Sequence, residues 1–364
     1  MHLFLMRLSQ DHPWEEQQRS QWLKQANQYA SDFFHSWTNQ KNDSQDFEQI
    51  QYFSWHSNPS FSNRTYNVYD EQKKELLGYA GAPIEKGTST DYRTASAFGG
   101  VEPSELMGQY VYFQIGDRRL RLYGDHIGFH CIFYYQNPKE NAWYISNSIK
   151  LLKLTKARKP NLDFFMELYV LGGEYWGNHT EDLEIRQLGE YGRIEYSDGK
   201  FSIDSWRDYR DVIQSHKHGT AEDYLKQAAE RYNQAAEYIE KYHRCIIGLS
   251  GGFDSRLVLS MFKGRSLDDS VCFTFQAGHG QREKRLSQKL ARYHGLPFHF
   301  IQFDYSDLPS LEDLTEESKR MGWEYRPYTN AVTQAIRTKC QFMYSQNLAL
   351  QPSGTCGDVG TARY

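Results

Sequence analysis

The pattern of apolar and polar positions changes character along the chain. Residues 14–34, WEEQQRSQWLKQANQYASDFF, space their apolar side chains at helical intervals within a polar stretch running from Trp14 to Ser57. From Gly108 the texture differs. GQYVYFQIGDRRLRLYGDHIGFHCIFYYQNPKENAWYISNSIKLL carries β-rich runs broken at GD, GDH and NPKEN, then a short helical tail. Connections that short join antiparallel strands, because parallel neighbours need a crossover of a dozen residues or more. LDFFMELYVLGG predicts a helix stopped at Gly172 and Gly173, and GRIEYSDGKFSID predicts a hairpin about its SDG turn.

The composition shifts again at SHKHGT, residues 215–220, which marks a linker. In AEDYLKQAAERYNQAAEYIEKYHR, Tyr224, Ala228, Tyr232 and Ala235 recur at helical spacing. The predicted order is then strand (Cys245 to Leu249), helix (Ser255 to Phe262), strand (Ser270 to Phe275), helix (Arg282 to His294), strand (Phe298 to Phe303). Alternating strand and helix implies a parallel, doubly wound α/β sheet with right-handed crossovers. The chain shows no internal repeat, and 364 residues suit two domains. The expected architecture is α+β followed by α/β: an antiparallel-sheet domain over residues 1–214 and a doubly wound domain over residues 221–364.

Charge and composition narrow the function classes. A net charge of -4, with 39% hydrophobic and 24% charged residues, describes a soluble globular chain without the basic footprint of a nucleic-acid or membrane-surface binder. The 27 tyrosines and 21 phenylalanines are spread through strand-like runs, where sheet packing accounts for them. Five cysteines, an odd number with no C-x-x-C pair, fit reduced thiols in the cytoplasm. The apolar stretch in MHLFLMRLSQDHPW is shorter than a signal peptide needs, and no run reaches the length of a membrane span. The N-x-[ST] matches at Asn42, Asn63 and Asn178 have no glycosylation role in that compartment.

Candidate chemistry concentrates in CIIGLSGGFDSRLVLSMF, residues 245–262. Ligands of open α/β sheets sit where strands turn into helices, and SGGFDS lies at such a place. Gly251 and Gly252 let backbone N–H groups approach an anion, Ser250 and Ser255 add hydroxyls, and the following helix adds the positive end of its dipole. The turn lacks the lysine of a Walker loop. Asp254 stands there instead and would repel phosphate unless a cation lay between, which suggests a Mg²⁺-bound polyphosphate. Two other readings use the same residues. One is a plain corner with Asp254 or Ser255 as N-cap, which leaves the glycines and serines without a role. The other is a G-x-S-x-G nucleophile elbow at Gly248 to Gly252, with Ser250 as nucleophile, Asp268 as acid and His279, His294 or His299 as base. Arg256 either reaches phosphate or is solvated at the helix start. His126 and His130 are placed on one face of a strand without the further ligands a zinc site needs.

The rest of the chain favours the first reading. SGGFDS after an apolar strand resembles the pyrophosphate-binding loop of N-type ATP pyrophosphatases, and the wider match is similar to the asparagine synthetase family with its β-lactam synthetase and lasso-peptide cyclase relatives. VCFTFQAG, containing Phe275, resembles the family's next strand, whose backbone reads adenine. QREKRLSQKLARYHGLPFHFI resembles its following helix and strand, and SGTCGD, Ser353 to Asp358, its second signature. GDHIGFHCIFYY followed by YISNSIKLL is similar to the amidotransferase-type domain around its R-D-x-x-G segment. The resemblance runs from about residue 75 to the end. It implies that ATP seats its pyrophosphate on Ser250 to Ser255 and that Asp254 and Asp358 hold Mg²⁺. A small-molecule or peptide carboxylate becomes an acyl-adenylate, and an amine or ammonia displaces AMP.

The chain also departs from that family. Glutamine-dependent members start with a nucleophilic cysteine after Met removal, whereas Met1 here precedes His2 and Leu3, and Cys131, the first cysteine, is placed in a strand. The glutamine-binding N-G-E turn would align near LLGYAGAPI, where only Gly81 survives. The expectation is an amidotransferase-like domain without glutaminase chemistry. In the second signature Thr355 replaces the acid that helps deprotonate the amine, and Cys356 is read as a small, partly buried thiol. Tyr364 follows Asp358 by six residues, where the family continues with helices. The resemblance therefore implies the ATP-binding half of a synthetase site, in a chain that is a fragment of a longer protein or needs a complementing polypeptide or a second copy. A non-catalytic nucleotide-binding relative remains the third reading.

Overall fold

A computed structural model describes residues 2–9, 14–33, 40–57, 65–85, 101–171, 177–215, 219–242, 245–267, 270–277, 282–303, 310 and 312–313. These residues divide into two compact units between Gly219 and Thr220. The first begins with β1 (His2–Ser9), α1 (Glu16–Phe33), β2 (Gln40–Asp46) and β3 (Ile50–Ser57). It continues through β4 (Asn67–Asp70), β5 (Glu75–Gly81), the short β6 (Ile84–Glu85) and β7 (Leu106–Met107), β8 (Tyr110–Gly116) and β9 (Arg119–Gly124). Next come β10 (Phe133–Asn137), β11 (Ala142–Ser146), α2 (Ile149–Lys153) and α3 (Leu162–Val170). It ends with β12 (Arg186–Gln187), β13 (Gly192–Ser197), β14 (Lys200–Ser205) and α4 (Tyr209–Ser215).

Two six-stranded sheets form this unit, ordered β12-β10-β11-β1-β3-β2 and β14-β13-β9-β8-β5-β4. Every pairing in both is antiparallel, as the hairpin turns predict. Strand side chains alternate between faces, so β1 serves two cores at once. Phe4, Met6 and Leu8 join Tyr52 of β3, Phe113 of β8 and Ile194 of β13 between the sheets. Leu3 and Leu5 face the other way, toward Trp22, Ala26, Tyr29 and Ala30 of α1 and Leu151 and Leu152 of α2. The β13–β14 turn has positive φ at Asp198 (47°) and Gly199 (81°), which a two-residue hairpin of that twist requires.

The helix expected in residues 14–34 is present as α1, and β2 and β3 follow it. Several other expectations change here. The N-terminal apolar run is a central strand with all eight residues buried. LLGYAGAPI lies mostly within β5 rather than in a turn. His126, His130 and Cys131 lie in the loop between β9 and β10, not in a strand, because Asp125 folds that loop around its own carboxylate. This buried group accepts from the N–H groups of Ile127 (3.0 Å), Phe129 (3.1 Å), His130 (2.8 Å) and Tyr110 (3.3 Å).

The second unit opens with α5 (Ala221–Tyr242) and continues as β15 (Ile246–Gly248), α6 (Phe253–Ser260), β16 (Val271–Ala277), α7 (Arg282–Tyr293) and β17 (Phe298–Phe303). The three strands are parallel in the order β15-β16-β17, with Ile247 opposite Cys272 and Phe275 opposite Ile301. The parallel sheet was expected. The double winding is not seen among the described residues, because these strands follow one another in a single direction without a reversal. On α5 burial concentrates near the C-terminal end, at Ala236, Tyr238 and Ile239, whereas Tyr232 of the predicted stripe is 40% exposed. Gly172, Gly173 and residues 216–218 of the linker lie outside the described residues.

Candidate functional site

Strand β15 is short and buried, and its ladder extends one residue further through the Leu249 N–H, which donates to the Phe273 carbonyl at 2.8 Å. This delivers Ser250 to the carboxyl end of a parallel strand, where α6 starts after a single tight turn. The N-cap of α6 is Gly252 (φ -71°, ψ 160°), which has no side chain to cap with. Neither Asp254 nor Ser255 plays that part, so the plain-corner reading loses its cap. Asp254 is instead the second helical residue, where a negative charge suits the helix dipole.

The turn satisfies itself closely. The Ser250 N–H donates to Ser255 Oγ at 3.1 Å, and the Gly252 N–H to Ser250 Oγ at 3.1 Å. The two hydroxyls lie 3.0 Å apart, and Ser255 Oγ is also 3.1 Å from the Ser250 carbonyl. Between them, the Gly251 N–H donates to the carboxylate of Glu283. The Arg256 Nε donates to the Gly252 carbonyl at 3.2 Å, with the guanidinium 4.3 Å from the Phe253 ring centroid, so the side chain is held at the turn rather than left in solvent.

Glu283 comes from the first turn of α7, and Ser287, one turn later on the same face, explains its placement. Ser287 is fully buried and its hydroxyl donates to the Leu249 carbonyl at 3.3 Å, pinning α7 beside the turn. A Cβ at Gly251 would stand 2.8 Å from Glu283 Oε1 and 3.2 Å from Leu286 Cδ2. Glycine is therefore what admits the acid. Sequence reasoning singled out both serines and both glycines but not Glu283, because an acid opening a helix is common and its partner is 32 residues away.

Phe275, the other expected nucleotide contact, lies beyond the middle of β16 and is 45% exposed. Asp358, Thr355 and Cys356 lie outside the described residues, as do Asp268 and His279. Among the described residues no group of three or more histidine, cysteine, aspartate or glutamate side chains is placed to hold a metal ion.

For the elbow reading, Ser250 Oγ bonds Ser255 and the Gly252 N–H, with no imidazole among its partners in the described residues, while His279 and Asp268 lie outside them. Ser250 is also not among the residues with positive φ. The neighbouring thiols of Cys245 and Cys272 are pushed up to about 12 by burial, which leaves them inert.

In the first unit, His2 stands where the resemblance would put a nucleophilic cysteine, and here it is buried and serves as packing. Its Nδ1 bonds the Tyr79 carbonyl at 2.7 Å, and its Nε2 lies 3.1 Å from the Tyr52 hydroxyl. Burial lowers it to about 3, so the ring is neutral at pH 7. Cys131 is half-buried, with Gln187 Nε2 at 3.7 Å from its sulfur. A cavity of about 280 Å³ in this unit, lined by Trp14, Trp22, Gln21 and Glu140 among others, contains none of the expected site residues. No helix among the described residues is long and apolar enough to cross a membrane.

No protein-family model matches the chain, and no curated protein does. Among solved structures it is similar to the allosteric regulatory enzyme of purine biosynthesis, at 9% identity over 83% of this chain and 80% of that one, with a TM-score of 0.36. It is also similar to the glutamine phosphoribosylpyrophosphate amidotransferase of B. subtilis complexed with ADP and GMP, at 11% identity over 88% of this chain and 71% of that one, with a TM-score of 0.33.

Proposed function

We propose that the chain is an ATP-dependent, AMP-forming amide ligase of the asparagine-synthetase type that works without hydrolysing glutamine. The observation that carries this reading is the SGGFDS turn, set at the carboxyl end of a buried parallel strand and opening directly into a helix N-terminus. Ser250, Gly251, Gly252 and Ser255 would bind the pyrophosphate part of ATP, and Phe275 would flank the adenine. The oxygen donors at the turn, carboxylate and hydroxyl, suit a hard divalent cation. Asp254 with Asp358 would hold Mg²⁺, whose charge offsets that of the departing pyrophosphate. The substrate carboxylate attacks the α-phosphorus and pyrophosphate leaves. An amine then attacks the acyl carbon, releases AMP and gives up a proton. The contribution of the turn is positioning and charge stabilisation rather than covalent chemistry.

The test is ATP–pyrophosphate exchange across a panel of small-molecule and peptide carboxylates, with Asp254→Ala beside the parent. Exchange should depend on one carboxylate class and disappear in the variant while its circular dichroism is unchanged, since the N-cap of α6 is Gly252 and not Asp254. Nucleotide binding without exchange for any carboxylate would replace this reading with a non-catalytic nucleotide-binding role.

A further inference from the structure

The turn carries three backbone donors, the N–H groups of Ser250, Gly251 and Gly252, and all three are engaged. Their partners differ in kind. Ser250 and Gly252 donate to serine hydroxyls, which are neutral rotors that can turn and donate to an incoming oxyanion. Gly251 donates to a carboxylate, which accepts only and carries charge. A charge-assisted bond of this sort is stronger than its neutral counterparts, and the acid cannot share the donor with phosphate.

We infer that Glu283 is a built-in competitor for the anion seat, and that a polyphosphate must displace its carboxylate to use the Gly251 N–H. The inference rests on the turn being a pyrophosphate site. The geometry supplies both positions of such a device. Ser287 and Leu286 keep α7 against the turn. Glu283 itself is exposed, so its side chain can rotate outward while the helix stays in place. Gly251, without a Cβ, leaves room for either occupant. The seat then discriminates by charge: weakly charged anions do not repay the loss of the carboxylate, whereas a pyrophosphate with several oxygens does.

The experiment is calorimetric titration of inorganic pyrophosphate, in magnesium-containing buffer, into the parent chain and Glu283→Gln. The glutamine keeps size and helix context but removes the charge. It should bind pyrophosphate at least ten-fold more tightly. Amide NMR gives a second readout. The Gly251 N–H resonance should shift on the substitution, and pyrophosphate should shift it in the parent. Equal or weaker binding by Glu283→Gln, with measurable binding by the parent, would overturn the competitor role and leave the pyrophosphate seat standing; it is also the result expected if Glu283 helps to hold the metal. Failure of both proteins to bind would overturn the seat and the inference together. Binding by the variant alone supports both.

Discussion

The glycines at 81 and 251 are both needed for close approach, yet alanine should affect them very differently. A Cβ on Gly251 meets the far end of a glutamate, which can swing aside. On Gly81, at φ 86°, it would stand 2.2 Å from the Gln109 backbone oxygen, which cannot. Left-handed backbone alone costs a non-glycine residue about 1–2 kcal/mol, and the collision adds to it. Gly81→Ala should therefore lose at least ~2 kcal/mol in urea unfolding, and a loss below 0.5 kcal/mol, the ordinary scatter of about that size for surface changes, would show the backbone yields there. At this scale the sequence was readable where a residue's own chemistry is unusual. Asp254 stood out as an acid in a turn whose glycines and serines read as an anion seat. Glu283 did not, because its significance lies wholly in what it touches.

Among elements, the loop from Asp125 to Ile132 is organised by one side chain. Replacing Asp125 with alanine would strip four N–H groups of their acceptor, three of them within the loop. Each buried donor left unpaired costs about 1–3 kcal/mol, less where water can enter. Asp125→Ala should lower stability by about 3 kcal/mol or more, measured by urea titration with fluorescence detection. Asp125→Asn should recover part of it through its remaining oxygen. The GD dipeptide signalled a turn here, but nothing in the residues after it said how far the loop would run. Strand legibility followed burial in the same way. β13 and β14 were readable because a hairpin turn separates them. HLFLMRLS hides its alternation because both faces of β1 are covered, and QKNDSQD has almost no buried residue to betray a strand. α3 was recognised as a helix, yet Leu162, Met166, Tyr169 and Val170 are exposed, so apolar spacing named the element without locating its core.

For the molecule as a whole, histidines lowered by burial make folding depend on protons, chief among them three in the first unit. Burial lowers His2 to about 3 and His130 to about 4, and it lowers His56 despite the opposing pull of Asp43. His2 packs against His56 and the rings of Tyr66 and Phe113. Their folded values lie below the unfolded value of about 6.5, so the unfolded chain binds more protons under that pH. The stability is fully present above about pH 6.5 and drains away as pH falls toward the folded values. Each histidine contributes up to about 1.4 kcal/mol per pH unit. Urea unfolding at pH 7.5, 6.5, 5.5 and 5.0 should show a plateau and then a decline. That window lies above the range where lowered carboxyls such as Asp182 and Asp204 lose their own contribution. A flat profile would mean that these rings already carry charge in the folded state.

Strand β1 also sets a schedule for the ribosome. It is synthesised well before β11, yet it sits between β3 and β11, with Leu5 opposite Ser146. Ser146 Oγ closes on the Phe4 carbonyl across 142 residues of chain. At about 5–20 residues per second, β11 is made roughly 7–30 s after β1. Over that interval β1 can pair along one edge with β3 while the other edge and its apolar side chains stay uncovered. A nascent chain in that condition is a natural client for a holding chaperone, and slowing translation between residues 57 and 142 should lower the soluble yield of this protein more than slowing it afterwards.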